Sequence, residues 1–299
     1  PKVHYYSGAT GEKVRTVKYL GKEWTGIAAA TLADADANGV ARDPAVAVLA
    51  SRQSPTRNTV EVRRSKTRTL LTKIDFMGPA TQVLDVAVID DGAGDGVTDD
   101  AVIAVLGLNP NRPSNEQIRV QVRRFSDGTV VNNYFFFNEN WTPVALEGVQ
   151  RSGRSPLLAV LGNNKKNGNN VVQARALKNG TLQPNVTFLN AGWVVRDLAV
   201  LADTNSDGNA KDPAYLVLGN QKNTGGNRVQ ARRVSNGNFI RNVALKGPKW
   251  EADRLMRMDD ISGNLAEEVG TLATKRDNGN VNVLVKDYAE GTTTLKVVP

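Results

Sequence analysis

A chain of 299 residues that is 40% hydrophobic can bury a substantial core, yet no run approaches the ~18 consecutive apolar residues of a membrane helix, so membrane insertion is not expected. Its 38 basic and 30 acidic residues leave a net charge of +8 that is spread along the chain, and its sparse aromatics do not interleave with the basic residues, so no nucleic-acid partner is expected. Without cysteine there are no disulfides, no thiolate nucleophile and no cysteine-held zinc, and a single histidine, His4, leaves little for histidine-based acid–base or metal chemistry.

The chain starts at Pro1, without an initiator methionine or a leader, and reads as a processed or excised piece of something longer. Residues 1–23 hold two β-rich runs, Val3–Tyr6 and Val14–Leu20, around a turn at Thr10-Gly11. From residue 24 a repeat begins. All four tryptophans, Trp24, Trp141, Trp193 and Trp250, occupy one phase of it, and Thr81 stands at that phase in one further copy. Five copies follow, at approximately 24–80, 81–140, 141–192, 193–249 and 250–299.

The first copy sets the grammar. After Trp24 come an apolar run, Gly26 to Leu32, and a polar loop, Asp34 to Asp43. Then come Ala45 to Ala50, a loop from Ser51 to Asn58, Val60 to Arg63, a turn, and Leu70 to Phe76. The second runs, such as Ala101 to Gly107, lack alternation and read as strands buried on both faces. The third runs alternate: Val120 and Val122 oppose Gln121 and Arg123, and Val229 and Ala231 oppose Gln230 and Arg232. Asp127-Gly128, Asn179-Gly180 and Asn236-Gly237 then supply tight-turn chemistry. The fourth runs carry bulky apolar residues, as in Tyr134 to Phe137, Val186 to Leu189 and Val243 to Leu245.

No segment has helical periodicity. Four-stranded antiparallel units that cannot bury both faces alone are expected to stack as the blades of an all-β propeller. The tryptophan, placed just before the first strand, is expected to pack between neighbouring blades. Residues 1–23 match the third and fourth strands of a unit and form an N-terminal half-blade. Residues 24–299 make five full blades and, with the half-blade, one propeller domain, six-bladed or part of a longer array. The two inner strands of the half-blade, about 25 residues by comparison with the other units, are missing from this count: they lie in another segment outside this chain, or a protein partner supplies them, or the array is open.

Four of the five copies open an acidic loop ten residues after the register mark. Asp34-x-Asp36-x-Asn38-Gly39 is followed by Asp43, and Asp203-x-Asn205-x-Asp207-Gly208 by Asp212. Oxygen side chains at positions 1, 3 and 5 of a tight turn converge on one point, the glycine permits the bend and the later carboxylate closes the shell. That donor set suits calcium, a hard ion, rather than zinc or copper. The second copy keeps Asp91, Asp95 and Asp100 but has Ala93 at position 3. In the third copy Arg151 replaces the first aspartate, and in the fifth the loop from Asp260 is shortened, so no metal is expected in either.

With these loops in view, the units resemble FG-GAP/VCBS-type repeats, the class that builds the integrin α-subunit propeller and many bacterial surface proteins. Asp34, Asp36, Asn38 and Asp43, and Asp203, Asn205, Asp207 and Asp212, match the acidic loop of that pattern, although the last carboxylate falls one residue late. The Phe-Gly and Gly-Ala-Pro signatures are absent. The resemblance implies a calcium-binding propeller on a secreted or cell-surface, bacterial protein.

The expectation is therefore a non-enzymatic, calcium-stabilised propeller with two to three Ca2+ sites, acting as a structural or adhesive protein-interaction module of a larger protein or assembly. A carbohydrate-binding propeller is the alternative. It would use the long polar loops Ser51 to Asn58, Asn109 to Gln117, Asn163 to Asn170 and Asn220 to Asn227 to reach a glycan. A propeller hydrolase or lyase is weaker still: Asp85 and Asp197 share a phase of the first strand, but the other copies carry Ala28, Ala145 and Arg254 there. The row Arg63, Arg123, Arg175 and Arg232, with Lys286, could take phosphate or a sulfated glycan but is expected to pair with acids on neighbouring strands or to blunt an exposed sheet.

Overall fold

Alternating and wholly apolar runs separated by turn chemistry leave the backbone only strand solutions, and the described residues form 22 strands and no helix. The computed structural model describes residues 1–7, 10, 12–35, 43–95, 97–151, 153–202, 212–245, 247–258, 268–287 and 293–297. β1 (Lys2–Tyr6) and β2 (Lys13–Lys18) pair as a two-stranded sheet, the predicted half-blade. Five four-stranded antiparallel blades follow. Blade 1 is β3 (Trp24–Leu32), β4 (Ala45–Gln53), β5 (Thr56–Arg64) and β6 (Leu70–Asp75). Blade 2 is β7 (Gln82–Ile89), β8 (Val102–Leu108), β9 (Ile118–Arg124) and β10 (Val130–Phe135). Blade 3 is β11 (Trp141–Val149), β12 (Leu157–Asn164), β13 (Asn170–Ala176) and β14 (Val186–Phe188). Blade 4 is β15 (Trp193–Leu201), β16 (Ala214–Gln221), β17 (Asn227–Arg233) and β18 (Phe239–Ala244). Blade 5 is β19 (Trp250–Met258), β20 (Glu268–Lys275), β21 (Val281–Asp287) and β22 (Thr293–Val297). Each sheet is a meander in chain order, and the fold is an all-β propeller.

Two boundaries differ from expectation. Each tryptophan is the first residue of its strand rather than the residue before it, because the preceding turn closes on the tryptophan's own amide. Trp24 N donates to Gly21 O, Trp141 N to Asn138 O, Trp193 N to Asn190 O and Trp250 N to Gly247 O, and Thr81 N to Gly78 O does the same. The loop expected from Ser51 to Asn58 is a tight hairpin, since pairing continues to Gln53↔Thr56.

By backbone contact the chain falls into two compact units. One comprises residues 1–4, 16–160 and 173–183, the other residues 5–15, 161–172 and 184–299. In the first, Leu49, Val60, Val62 and Phe76 of blade 1 pack with Val83, Val86 and Ile103 of blade 2, and Leu106, Val120 and Phe136 pack with Leu146, Leu158 and Val160 of blade 3. In the second, Leu216, Leu218 and Val229 of blade 4 pack with Ala252, Val269 and Ala273 of blade 5. The cores therefore lie between successive sheets, as stacked amphipathic sheets require.

Three polar devices recur at these interfaces. First, the arginine row is structural. Arg63, Arg123, Arg175 and Arg232 lie 5.9, 5.6, 5.7 and 5.8 Å from the ring centres of Tyr19, Phe76, Phe136 and Phe188, each an aromatic of the preceding unit. Each also donates Nη1 to the carbonyl of a left-handed turn residue: Arg68, Gly128, Gly180 or Gly237, at 2.8–3.1 Å. Second, the glutamine two residues earlier accepts a backbone amide from the preceding blade. Met77 N reaches Gln121 Oε1 at 3.1 Å, Phe137 N reaches Gln173 Oε1 at 3.1 Å and Leu189 N reaches Gln230 Oε1 at 2.9 Å. These donors have φ of 50°, 50° and 29°. A left-handed conformation costs a side-chain-bearing residue about 1–2 kcal/mol, and a bond to a buried acceptor offsets it.

Third, a bulge shifts the register of the first strand between Val83 and Asp85, and again between Val195 and Asp197. The aspartate just past each bulge turns toward the next sheet. Asp85 Oδ2 accepts Leu146 N at 2.8 Å and Oδ1 accepts Val86 N at 2.9 Å. Asp197 Oδ2 accepts Leu255 N at 2.7 Å and Oδ1 accepts Leu198 N at 3.0 Å. Bulges suit such re-aiming because they break the alternation of side-chain direction.

Candidate functional site

The acidic loops join the first and second strands of their blades, so all lie at the same end of their sheets. Asp36 and Asn38 of the first loop, and Asp203, Asn205 and Asp207 of the fourth, fall outside the described residues. Asp34, at the end of the first strand of blade 1, is fully buried and bridges to Asp43. Its Oδ2 accepts Thr98 Oγ1, from the second loop, at 2.8 Å. Ala33 N donates to Asp90 Oδ1 at 2.8 Å, so the first two loops are tied together. The late carboxylates have partners of their own: Asp43 meets Arg64 Nη1 at 2.5 Å and Asp212 meets Arg233 Nη1 at 3.6 Å. The two arginines hold equivalent places at the ends of third strands.

The second loop is the most fully described. Asp91 Oδ1 accepts Gly94 N at 2.5 Å and Asp95 N at 3.1 Å, and Gly94 adopts φ 80°, so the backbone wraps the carboxylate. Asp100 Oδ1 closes the loop by accepting Gly92 N at 2.6 Å. Burial pushes the Asp100 carboxyl above its ordinary range; the backbone bonds from Gly92 and Ala93 oppose this, and the charges of Asp91 and Asp95 add to the rise. The donor set is all oxygen and suits a hard cation. Among the described residues, however, no three such side chains are gathered closely enough to form a metal-holding group. In the third loop Arg151 donates Nε and Nη2 to Ser155 O, so a guanidinium cross-braces the loop.

A second feature lies beside blade 1. A cleft of about 490 Å³ opens where the segment after β2 meets β5 and β6. Glu61 occupies the place that glutamine fills in blades 2, 3 and 4. It is fully buried, its Oε1 accepts Arg63 Nε at 2.6 Å and Leu20 N at 3.4 Å, and its Oε2 lies 3.0 Å from Lys73 Nζ. Burial alone would raise the Glu61 carboxyl, but hydrogen bonds from Arg63 and Lys73 outweigh it and hold the group below its ordinary range. Asp75 is likewise held low, against the pull of burial, by Arg57 and by Thr59 Oγ1 at 2.6 Å. The stability that Glu61 adds is therefore present above its unfolded pKa and is lost as pH falls through the lower folded value. Glu61→Gln should be less stable than the parent at neutral pH, and the difference should vanish toward acid; urea unfolding of both proteins across pH 3–7, about the carboxylate range, would check this. A constant difference over that range would place the effect in packing instead.

The loop asparagines expected at a glycan-facing surface are partly buried structure. Asn58, Asn170 and Asn227 are at most 4% exposed. Asn58 Nδ2 donates to Thr81 O at 3.2 Å and Asn227 Nδ2 to Trp250 O at 2.9 Å, each reaching the register residue of the next copy. The signal was present in the sequence as an asparagine at one phase of three copies.

No family model matches the chain, so membership of the FG-GAP/VCBS class is not established, and no curated protein matches it either. Solved structures share its fold. Hydrazine synthase from Kuenenia stuttgartiensis superimposes with a TM-score of 0.53 and 11% identity, over 96% of this chain and 65% of that one. Cobalt-substituted Synechocystis apocarotenoid oxygenase does so with a TM-score of 0.57 and 10% identity, over 99% of this chain and 67% of that one. The chain thus spans about two thirds of the length of either protein. At these identities the likeness carries the propeller fold alone. It nevertheless corrects one expectation: the chain was expected to be non-enzymatic because its first-strand carboxylates do not recur from copy to copy, yet its architecture is one that enzymes use over nearly the whole length of this sequence, and the exclusion of catalysis is withdrawn.

Proposed function

We propose that this chain is a calcium-stabilised propeller of a secreted or cell-surface protein, in which the acidic-loop end is pinned by Ca2+ and displays its loops to a protein partner as a structural or adhesive module. The observation that supports it best is the second loop, where Asp91, Asp95 and Asp100 stand within ten residues, two of them already wrapped by backbone amides. A divalent cation there relieves the mutual repulsion of the carboxylates. Asp91, Asp95 and Asp100 would hold it in blade 2, with Asp34, Asp36, Asn38 and Asp43 in blade 1, and Asp203, Asn205, Asp207 and Asp212 in blade 4. The FG-GAP/VCBS resemblance of the latter two loops supports the same ion.

Thermal unfolding in calcium and in chelator tests the reading. Ligand at a hundredfold excess over its dissociation constant adds about 2.7 kcal/mol to the folded state, which is on the order of 5–10 °C in Tm for a unit of this size. Because Asp100 is raised, its proton competes with the ion, so the calcium-dependent gain should shrink as pH falls toward the acid range. Identical melting in calcium and chelator, together with no heat of calcium binding by titration calorimetry, would discard the proposal.

A further inference from the structure

We propose that the cleft beside blade 1 is a binding site for a small anion of monosaccharide size, a sugar carboxylate or a sugar phosphate. The chain supplies its own controls. In blades 2 and 4 the equivalent position is a neutral amide pair, with Gln121 Nε2 donating to Asn133 Oδ1 at 3.2 Å and Gln230 Nε2 to Asn242 Oδ1 at 3.3 Å. Those pairs hold the preceding blade's amide at 2.9–3.1 Å, whereas Glu61 holds Leu20 N at only 3.4 Å. Glutamate is thus not needed for the clamp and performs it less closely. Burying it costs desolvation that glutamine avoids, and that cost is met by Arg63, whose counterparts also stand beside the glutamines, and by Lys73, which takes the place of their asparagine partners.

The charge extends beyond this pair. Asp75 stands where blade 2 has Phe135 and blade 4 has Ala244, and it fixes Arg57 through Nε at 2.9 Å. Both carboxylates have cations set against them: Asp75 accepts from Arg57 and Thr59, Glu61 Oε1 accepts from Leu20 and Arg63, and Glu61 Oε2 sits 3.0 Å from Lys73 Nζ. The cations are not fully engaged. Lys73 has three donors and spends one on Glu61; Arg57 keeps its Nη1 group; Lys18, on the same cleft, forms no ion pair among the described residues. A ligand must therefore bring acceptors rather than donors, and an anionic group is the strongest acceptor for lysine and arginine. The half-buried Trp24 lines the cleft, and a volume of about 490 Å³ lies within the range of small-ligand pockets. The corresponding cleft beside blade 4, about 410 Å³ and lined by Asn169, Asn190 and Gln230, has Arg232 as its one charged lining residue and no counterpart of Lys18, Arg57 or Lys73.

Titration calorimetry at low salt with glucuronate, glucose 6-phosphate and neutral glucose tests the site. Binding of one or both anions, none of glucose, and a loss of affinity with added salt are expected. Lys18→Gln, which leaves the ion pairs of Glu61 and Asp75 intact, should weaken binding about tenfold. The double variant E61Q/K73N installs the amide pair that blades 2 and 4 already fold with. It should melt close to the parent temperature and lose binding. No heat with either anion, or equal affinity in the parent and in E61Q/K73N, would overturn the assignment. Preference between the two anions distinguishes a carboxylate from a phosphate site.

Discussion

Asp85→Ala is expected to destabilise the first unit by about 3 kcal/mol. The side chain accepts two buried amides, one from its own strand at Val86 and one from the neighbouring sheet at Leu146, and it is 7% exposed. Alanine cannot accept, and water cannot enter without opening the interface, so both amides lose their acceptor. A bond to a charged acceptor contributes about 1.5–3 kcal/mol, and an amide stranded in the interior costs about 1–3 kcal/mol. Asp85→Asn keeps one carbonyl oxygen and should cost about half as much. Urea unfolding followed by near-ultraviolet dichroism reads both. An Asp85→Ala protein within about 0.5 kcal/mol of the parent, the ordinary scatter of surface substitutions, would mean that the bulge does not staple the sheets. Asp197→Ala should behave alike in the second unit, where Leu255 N and Leu198 N are the donors.

The same aspartates show where reading the sequence stopped. Their shared phase was visible, but three of five copies carry something else there, and a phase without a donor says nothing about role. The missing information was the bulge, which turns the residue out of the strand's alternation. The strands themselves were legible because burial on one or both faces leaves a period in the sequence. Buried runs such as Ala45 to Ala50 were read correctly; alternating runs such as Val120 to Arg123 are strands as expected, but the face expected to be wet is buried at Gln121. Strand ends were less so. Trp24 belongs to β3 because of a turn bond to Gly21 O, and backbone bonds leave no mark in composition.

The arginine row was visible as a row and expected to be structural, but its partners were not legible. Its meaning depends on an aromatic about 40 residues earlier and a turn carbonyl five residues later, partners that the sheet stacking alone brings together. Glu61 was passed over for a different reason. It looks like one more polar residue on a wet strand face, and only the structure shows that the face is buried at that point. Departures from an internal consensus at buried positions are the more informative ones, because a surface change costs little and a buried charge does not.

Blade 5 makes the strongest case that ring, guanidinium and amide work together. There Leu284 replaces the glutamine, Lys286 the arginine, and the residue at the phenylalanine's position in blade 4 is Leu245. All three parts of the clasp change at one interface, as expected if none is useful alone. Phe136→Ala should therefore cost about 4 kcal/mol: the ring is fully buried among Leu106, Val120, Leu158 and Val160, and large-to-small changes of this kind leave a cavity. Phe136→Leu should cost about 1–2 kcal/mol, since most of the apolar volume stays. Arg175 lies 5.7 Å from the Phe136 ring centre and is itself desolvated, with burial lowering its pKa. A double-mutant cycle of Phe136→Leu and Arg175→Lys should return a coupling of about 0.5–1 kcal/mol, because the lysine loses less when the ring is already gone. Strict additivity in urea unfolding would show that ring and guanidinium merely share a location, and the joint replacement in blade 5 would then need another cause.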